Sequence, residues 1–162
     1  QQYGLKYVTA VPNNLYGEND NFDLNNSHVI PAIIRKVHES NIHGNIPKFW
    51  GLGRAVREFT YSGDIARALL WMVENYDNPK PLNIGNPGDI SIMNLVLKIQ
   101  DFLDGPTRSK WDDSMPEGQY KKPSCNKAFM DLNPDFKYTS LNTGLKNTID
   151  WFLKEYPNVR GV

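Results

Sequence analysis

Apolar positions along the chain change their period several times, and each change marks an element. Tyr7-Val8-Thr9-Ala10-Val11 is a short, β-branched, mostly apolar run, the pattern of a strand covered on both faces. It stops at Pro12, and Asn13-Asn14-Leu15-Tyr16-Gly17 reads as a polar turn at its carboxyl edge, the place where open α/β sheets bind ligands. Residues 18–26 are polar and aperiodic. Ser27 offers an N-cap for a helix over residues 28–40, with Val29, Ala32, Ile33 and Val37 on one face. Pro31 is tolerated in its first turn, where no intrahelical donor is lost.

Residues 48–60 predict a short strand, a Gly51-Leu52-Gly53 turn and an extended Val56-Arg57-Glu58-Phe59-Thr60. Ser62 caps a second helix running to about Asn75, with Asp64 in its first turn and Ile65, Ala68, Leu69 and Met72 on one side. Residues 81–84 form a brief strand before the Gly85–Gly88 turn. Ser91 caps a third helix whose apolar side is Leu95, Val96, Ile99, Phe102 and Leu103, with Gly105-Pro106 as its stop. A short strand at 108–111, a long polar loop at 112–125, a one-turn helix at 128–132 and an amphipathic helix at 141–156 complete the chain. Loops of that length usually carry function. Strands alternating with helices define an α/β fold class, but four short strands make too small a doubly wound sheet to stand alone. Gln1 to Leu5 reads like a helix end with Gly4 in the cap position, so further chain upstream is expected.

Composition narrows the function classes. The 162 residues suit one domain, and Lys+Arg and Asp+Glu both total 18, so no global field draws the chain to nucleic acid or an anionic membrane. No apolar run approaches the roughly 20 residues that span a bilayer. No signal-peptide pattern opens the sequence. The single cysteine, Cys125, excludes an intrachain disulfide, fits a cytoplasmic setting and reads as structural or incidental. His38 and His43 show no metal-ligand spacing with His28 or with a carboxylate cluster, so no metal site is expected.

Several motifs then match one family together. Ala10-Val11-Pro12-Asn13-Asn14-Leu15-Tyr16-Gly17, Asn26-Ser27-His28-Val29-Ile30-Pro31-Ala32, Phe49-Trp50-Gly51, Arg57-Glu58-Phe59 and Asn83-Ile84-Gly85 resemble the GDP-L-fucose synthases. These belong to the extended short-chain dehydrogenase/reductase superfamily, and the similarity runs in order along essentially the whole chain. The resemblance implies the C-terminal part of such an enzyme, lacking most of the Rossmann sheet. Residues 1–162 would form a single substrate-binding domain, with 1–17 a remnant strand and turn of the dinucleotide-binding sheet. It implies a GDP-sugar partner, NADP as the family's cofactor, and C3/C5 epimerisation of a 4-keto sugar followed by reduction. No G-x-G-x-x-G follows a strand and no Tyr-x-x-x-Lys precedes residue 7, so the chain alone is expected not to turn over substrate. A homo-oligomer or a Rossmann-domain partner chain is expected instead. A non-catalytic sugar-nucleotide-binding or oligomerisation module is the alternative.

By resemblance, His28 takes the place of the family's acid/base histidine, whose type titrates near neutrality. Read from its position alone, it would be a first-turn histidine making a cap-like hydrogen bond. Pro12, Asn13, Asn14 and Leu15, together with His28, resemble the segment beside the nicotinamide end of NADP, with Asn13 where the family commonly has Thr. Arg57, with its fork of donors, resembles a pyrophosphate ligand, and Lys36 a second substrate-contacting cation. Both could equally be solvated surface charges. Trp50 resembles the tryptophan lining the substrate pocket. Glu117, in Ser114-Met115-Pro116-Glu117-Gly118, matches a family segment that closes over the nucleotide, with Met115 in place of the family Lys and, further on, Pro123-Ser124-Cys125 in place of an expected Leu-Leu-Asp. Trp71 and Trp151 are expected in the core.

Overall fold

In the computed structural model, residues 3–5, 7–115 and 118–162 are described; Glu117 lies outside them. Among the described residues the elements run in the order β1 (Ala10–Val11), β2 (Asn14–Tyr16), α1 (Val29–His43), β3 (Lys48–Trp50), β4 (Val56–Tyr61), α2 (Ser62–Asn75), β5 (Leu82–Asn83), β6 (Asp89–Ser91), α3 (Ile92–Phe102), β7 (Lys110–Asp112), α4 (Lys127–Leu132) and α5 (Leu141–Glu155). The strands make three small sheets. β1 runs parallel to β5, β3 parallel to β7, and β4 lies between parallel β2 and antiparallel β6.

The expected strand over 7–11 shrinks to two residues. Tyr7 is 75% and Val11 41% exposed, so the run is not covered on both faces. The expected polar turn holds a strand instead, because Asn14, Leu15 and Tyr16 register against Phe59, Thr60 and Tyr61. Two of the three predicted serine caps also differ. His28 and Tyr61 occupy the N-cap positions of α1 and α2 without a side-chain cap bond, whereas Ser91 accepts from Asn94 N–H at 3.2 Å. Asp64, buried in the first turn of α2, instead receives Thr139 N–H at 2.7 Å and its hydroxyl at 2.8 Å, and pairs with Arg67 at 2.6 Å. It therefore pins the approach to α5 rather than capping its own helix.

Two hydrophobic clusters flank β4. The larger joins Ile30, Ile33, Ile34 and Val37 of α1 to Leu95, Val96 and Ile99 of α3 and Leu145, Ile149 and Phe152 of α5, around Tyr16, Phe22, Phe49 and Phe59. The smaller sets Ile65, Ala68 and Met72 of α2 against Leu82, Ile84, Phe129 and Phe136. Each fully buried side chain of this size contributes about 1.5–3 kcal/mol. Trp71 and Trp151 are half-buried, packing on Phe129 and Phe22 respectively. Cys125 is exposed.

Candidate sugar-nucleotide site

α1 positions the first wall of a hollow. Its stripe is broader than the core needs: Ile30, Ile34 and Val37 are buried inside, while Val29, Ala32 and Lys36, one turn apart, face the hollow with Ile33 between the two sides. The opposite wall comes from Phe49 and Trp50 of β3, Gly53, Ala55 and Ile92. Gly53 has φ +70° and a Cβ there would stand 2.6 Å from the Trp111 ring, so only glycine keeps that wall thin. The floor is the loop before α1. Phe22 is fully buried, its N–H donates to Arg160 O at 2.8 Å, and its carbonyl accepts from Arg35 at 3.0 Å. Asp23 then folds the loop back by accepting from Asn25 N–H at 3.0 Å and Asn26 Nδ2 at 2.8 Å. These bonds hold its carboxyl below the usual carboxylate range and bring Leu24 and Asn25 to the rim. The hollow, open to solvent on one side, has a volume of about 290 Å³.

His28, Lys36 and Trp50 line this one hollow. The His28 side chain is 83% exposed, with Nδ1 4.0 Å from Asp20 Oδ1, and it does no capping. Trp50 is 62% exposed, a large indole left uncovered beside buried Phe49. Lys36 Nζ lies 5.8 Å from the Phe49 ring centre and 6.0 Å from that of Trp50, and donates to Lys48 O at 3.1 Å. Burial pushes its pKa down from the ordinary 10.5. A second hollow of about 360 Å³ shares Lys36 and Trp50 with the first. Ser27, also at the first hollow, has a buried hydroxyl oxygen without a partner among the described residues, a group that ordinarily finds one.

Arg57 does not line the hollow. Its Nη1 donates to Val56 O at 2.7 Å and Tyr120 O at 3.4 Å. Ala55, two residues earlier on the same side of the extended chain, does line it. Pro12 to Leu15 lie apart again, next to Glu58: Asn14 Nδ2 donates to Glu58 O at 2.7 Å, and Asn13 Nδ2 to Asn86 O at 2.7 Å. With both amides committed, this turn can offer a ligand mainly its backbone and Leu15, which is 37% exposed. Among the described residues no glycine-rich turn opens a helix after a strand, so they offer no cradle for a dinucleotide's pyrophosphate. No group of three or more His, Cys, Asp or Glu could hold a metal among the described residues, and no helix there is long and apolar enough to cross a membrane.

The rim residues Leu24 and Asn25 and the wall residues Ala55 and Ile92 escaped sequence reasoning, because nothing local marks a loop or strand end as concave. Glu58 left a clearer trace. It shares the 56–58–60 face of β4 with Thr60, and both are buried.

With parallel strands, short crossovers and a hollow beyond the sheet, the chain belongs to the NAD dependent epimerase/dehydratase family, whose model matches residues 1–85. Within it the chain is similar to the GDP-L-fucose synthase of Dictyostelium discoideum, 32% identical over 99% of this chain and 51% of the relative. It is likewise similar to that of Sinorhizobium fredii, 36% identical over 94% and 49%. The crystal structure of a GDP-L-fucose synthetase from Naegleria fowleri superimposes with a TM-score of 0.90 at 35% identity, covering 94% of this chain and 48% of that one. A second structure of that enzyme is bound to NADP. The chain spans about half the length of the curated relatives it matches.

Proposed function

We propose that this chain is the GDP-sugar-binding half of a GDP-L-fucose synthase-like, NADP-dependent epimerase/reductase. The observation that carries the reading is the shared hollow: an acid/base side chain, a cation and an uncovered indole meet against an apolar wall. An indole packs on a sugar or base face, an ammonium attracts a diphosphate, and the unpartnered Ser27 hydroxyl is a hydrogen bond left for a ligand. Arg57 would swing from its backbone partners to the pyrophosphate. His28 would give or take the proton at a carbon next to the sugar's ketone, a step that needs an acid on one face and a base on the other.

Turnover needs a reductant positioned over that sugar. NADPH, when bound, would supply the hydride and become NADP, and Pro12 to Leu15 with His28 would border its nicotinamide end. Its pyrophosphate would be held by a dinucleotide-binding segment outside these residues, so the isolated chain binds without turning over. Calorimetry with GDP tests the reading: saturable heat, weakened by Trp50→Ala and by Arg57→Ala, supports it, and no heat at millimolar GDP contradicts it. NADPH oxidation with the 4-keto sugar nucleotide should be undetectable for the purified chain, and turnover would overthrow the division of labour.

A second reading, a non-catalytic binding or oligomerisation module, draws on the outer face of α2. Leu69, Leu70 and Val73 are 43%, 68% and 78% exposed there, with Leu5 and Tyr7 nearby in sequence to β1 and also bare. Such apolar surface marks an interface. Its occupant is a Rossmann-type partner segment, because β1 has a ladder partner on one edge only among the described residues and the relatives are about twice as long. Sedimentation distinguishes this from a homo-oligomer. The setting would be cytoplasmic, in keeping with one exposed, unpaired thiol.

A further inference from the structure

Glu58 is a carboxylate only 4% exposed in the middle of β4, and its charge is felt by the Lys121 ammonium, which pairs directly with Asp89 instead. The direct neighbours of the Glu58 carboxylate are donors from two distant segments. Ser124 presents its N–H at 3.1 and 3.0 Å to the two carboxylate oxygens, and its hydroxyl also donates to Oε2. Asn13 Nδ2 approaches Oε2 at 3.4 Å. Asn13 is itself fixed: its Oδ1 accepts from the Thr60 hydroxyl at 2.5 Å, and that hydroxyl accepts from Asn86 N–H at 2.7 Å. Hydrogen bonds to a buried anion are about twice as strong as neutral ones.

The segment that Ser124 anchors runs along an edge of β4. Tyr120 O accepts from Val56 N–H at 2.7 Å, Lys121 bridges Val56 in parallel, and the Lys121 ammonium pairs with Asp89 of β6. Since β6 takes one edge of β4, residues 120–121 extend the edge that β2 occupies further along. The same segment holds Arg57. Tyr120 O accepts from its guanidinium, and a Cβ at Gly118 would lie 3.7 Å from Nη2.

We propose that Glu58 is a positioning residue: its carboxylate latches residues 118–125 onto β4 and so sets where the Arg57 guanidinium rests and how readily it reaches a bound diphosphate. The latch stands on the geometry above; its effect on a nucleotide rests on the proposed GDP-sugar function. Glu58→Gln keeps the shape but replaces one acceptor oxygen with a donor, leaving a donor facing donors.

The test reads trypsin cleavage between Lys121 and Lys122, by mass spectrometry on the folded chain, together with the GDP dissociation constant. For Glu58→Gln, cleavage there accelerates about tenfold, the factor one charge-assisted hydrogen bond makes in an opening equilibrium. GDP affinity falls by a similar factor, although Glu58 is outside the hollow. Ser124→Ala, on the surface segment where folding is not at stake, gives a smaller rise in the same cleavage. In the double variant the two effects fall short of their sum, as for groups in one contact. An unchanged cleavage rate in both variants overturns the latch, and faster cleavage with unchanged GDP affinity overturns the positioning of Arg57. Absence of GDP binding by the unaltered chain sinks the proposed function instead, and cleavage alone then decides the latch.

Discussion

Helices α1 and α2 have nearly the same length, 15 and 14 residues, and both carry more apolar surface than one core face can take. On α1 the surplus, Val29 and Ala32, borders a hollow together with Lys36, a histidine and an indole. On α2 the surplus, Leu69, Leu70 and Val73, is exposed, and the hollow that Val73 borders is lined by Glu74, Asn75 and Asp77 rather than by a cation, a histidine or an indole. A stripe too wide for its core signals a surface with a task, and the company it keeps separates a ligand wall from a docking face.

Each helix can be probed on both sides. Ile34→Ala, on the core side of α1, should lower unfolding free energy by about 2–5 kcal/mol through lost burial and a cavity, while Leu70→Ala on α2 should stay within about 0.5 kcal/mol. Urea denaturation checks both, and equal losses would erase the contrast. On the other sides the consequences should exchange. Ala32→Glu places a carboxylate where the diphosphate sugar would lie and should weaken GDP binding about a hundredfold. Leu70→Glu should leave that affinity alone and abolish association with a partner or second copy, as sedimentation would show.

The elements were largely legible in the pattern of residues, and the gaps have physical causes. β2 was hidden because Asn-Asn-Leu-Tyr has turn chemistry, and only its register with Phe59 to Tyr61 makes it a strand. The strand at 7–11 looked buried because its composition suits a covered sheet, yet in this structure Tyr7 and Val11 are bare. Motifs singled out the candidate positions, but not their arrangement in three dimensions. His28, Lys36 and Trp50 share one hollow, whereas Arg57 and the Asn13 turn sit around Glu58. Two of the departures from the family pattern, Asn13 and Ser124, meet on that same carboxylate. No one-dimensional reading could have joined positions so far apart in sequence.

Two smaller effects sharpen the contrast between hollow and core within α1. Lys36→Met should weaken GDP about tenfold, the worth of one charge-assisted contact. Because burial lowers the Lys36 pKa from 10.5, the free protein loses that charge earlier than an exposed lysine would. GDP affinity should therefore decline on the alkaline side below pH 10.5, and Lys36→Arg should flatten the decline. His38, half-buried on the core side, packs edge-on against Phe152 and Tyr156, and its Nε2 has no partner among the described residues. Desolvation lowers its pKa from 6.5, against the pull of Glu39. As pH falls through 6.5, the unfolded chain takes up a proton that the folded chain resists, so stability drops until the folded pKa is passed. The urea midpoint of the unaltered chain should accordingly fall more on acidification than that of His38→Gln, and parallel curves would remove His38 from the account.

The most direct test of the hollow as a sugar-nucleotide site is a GDP titration followed through the four tryptophan indole N–H signals. The account predicts a saturable shift of Trp50, with Trp71 and Trp151 unmoved on their helices. Saturation with Trp50 still, or with Trp71 moving in its place, would put the ligand elsewhere and contradict it.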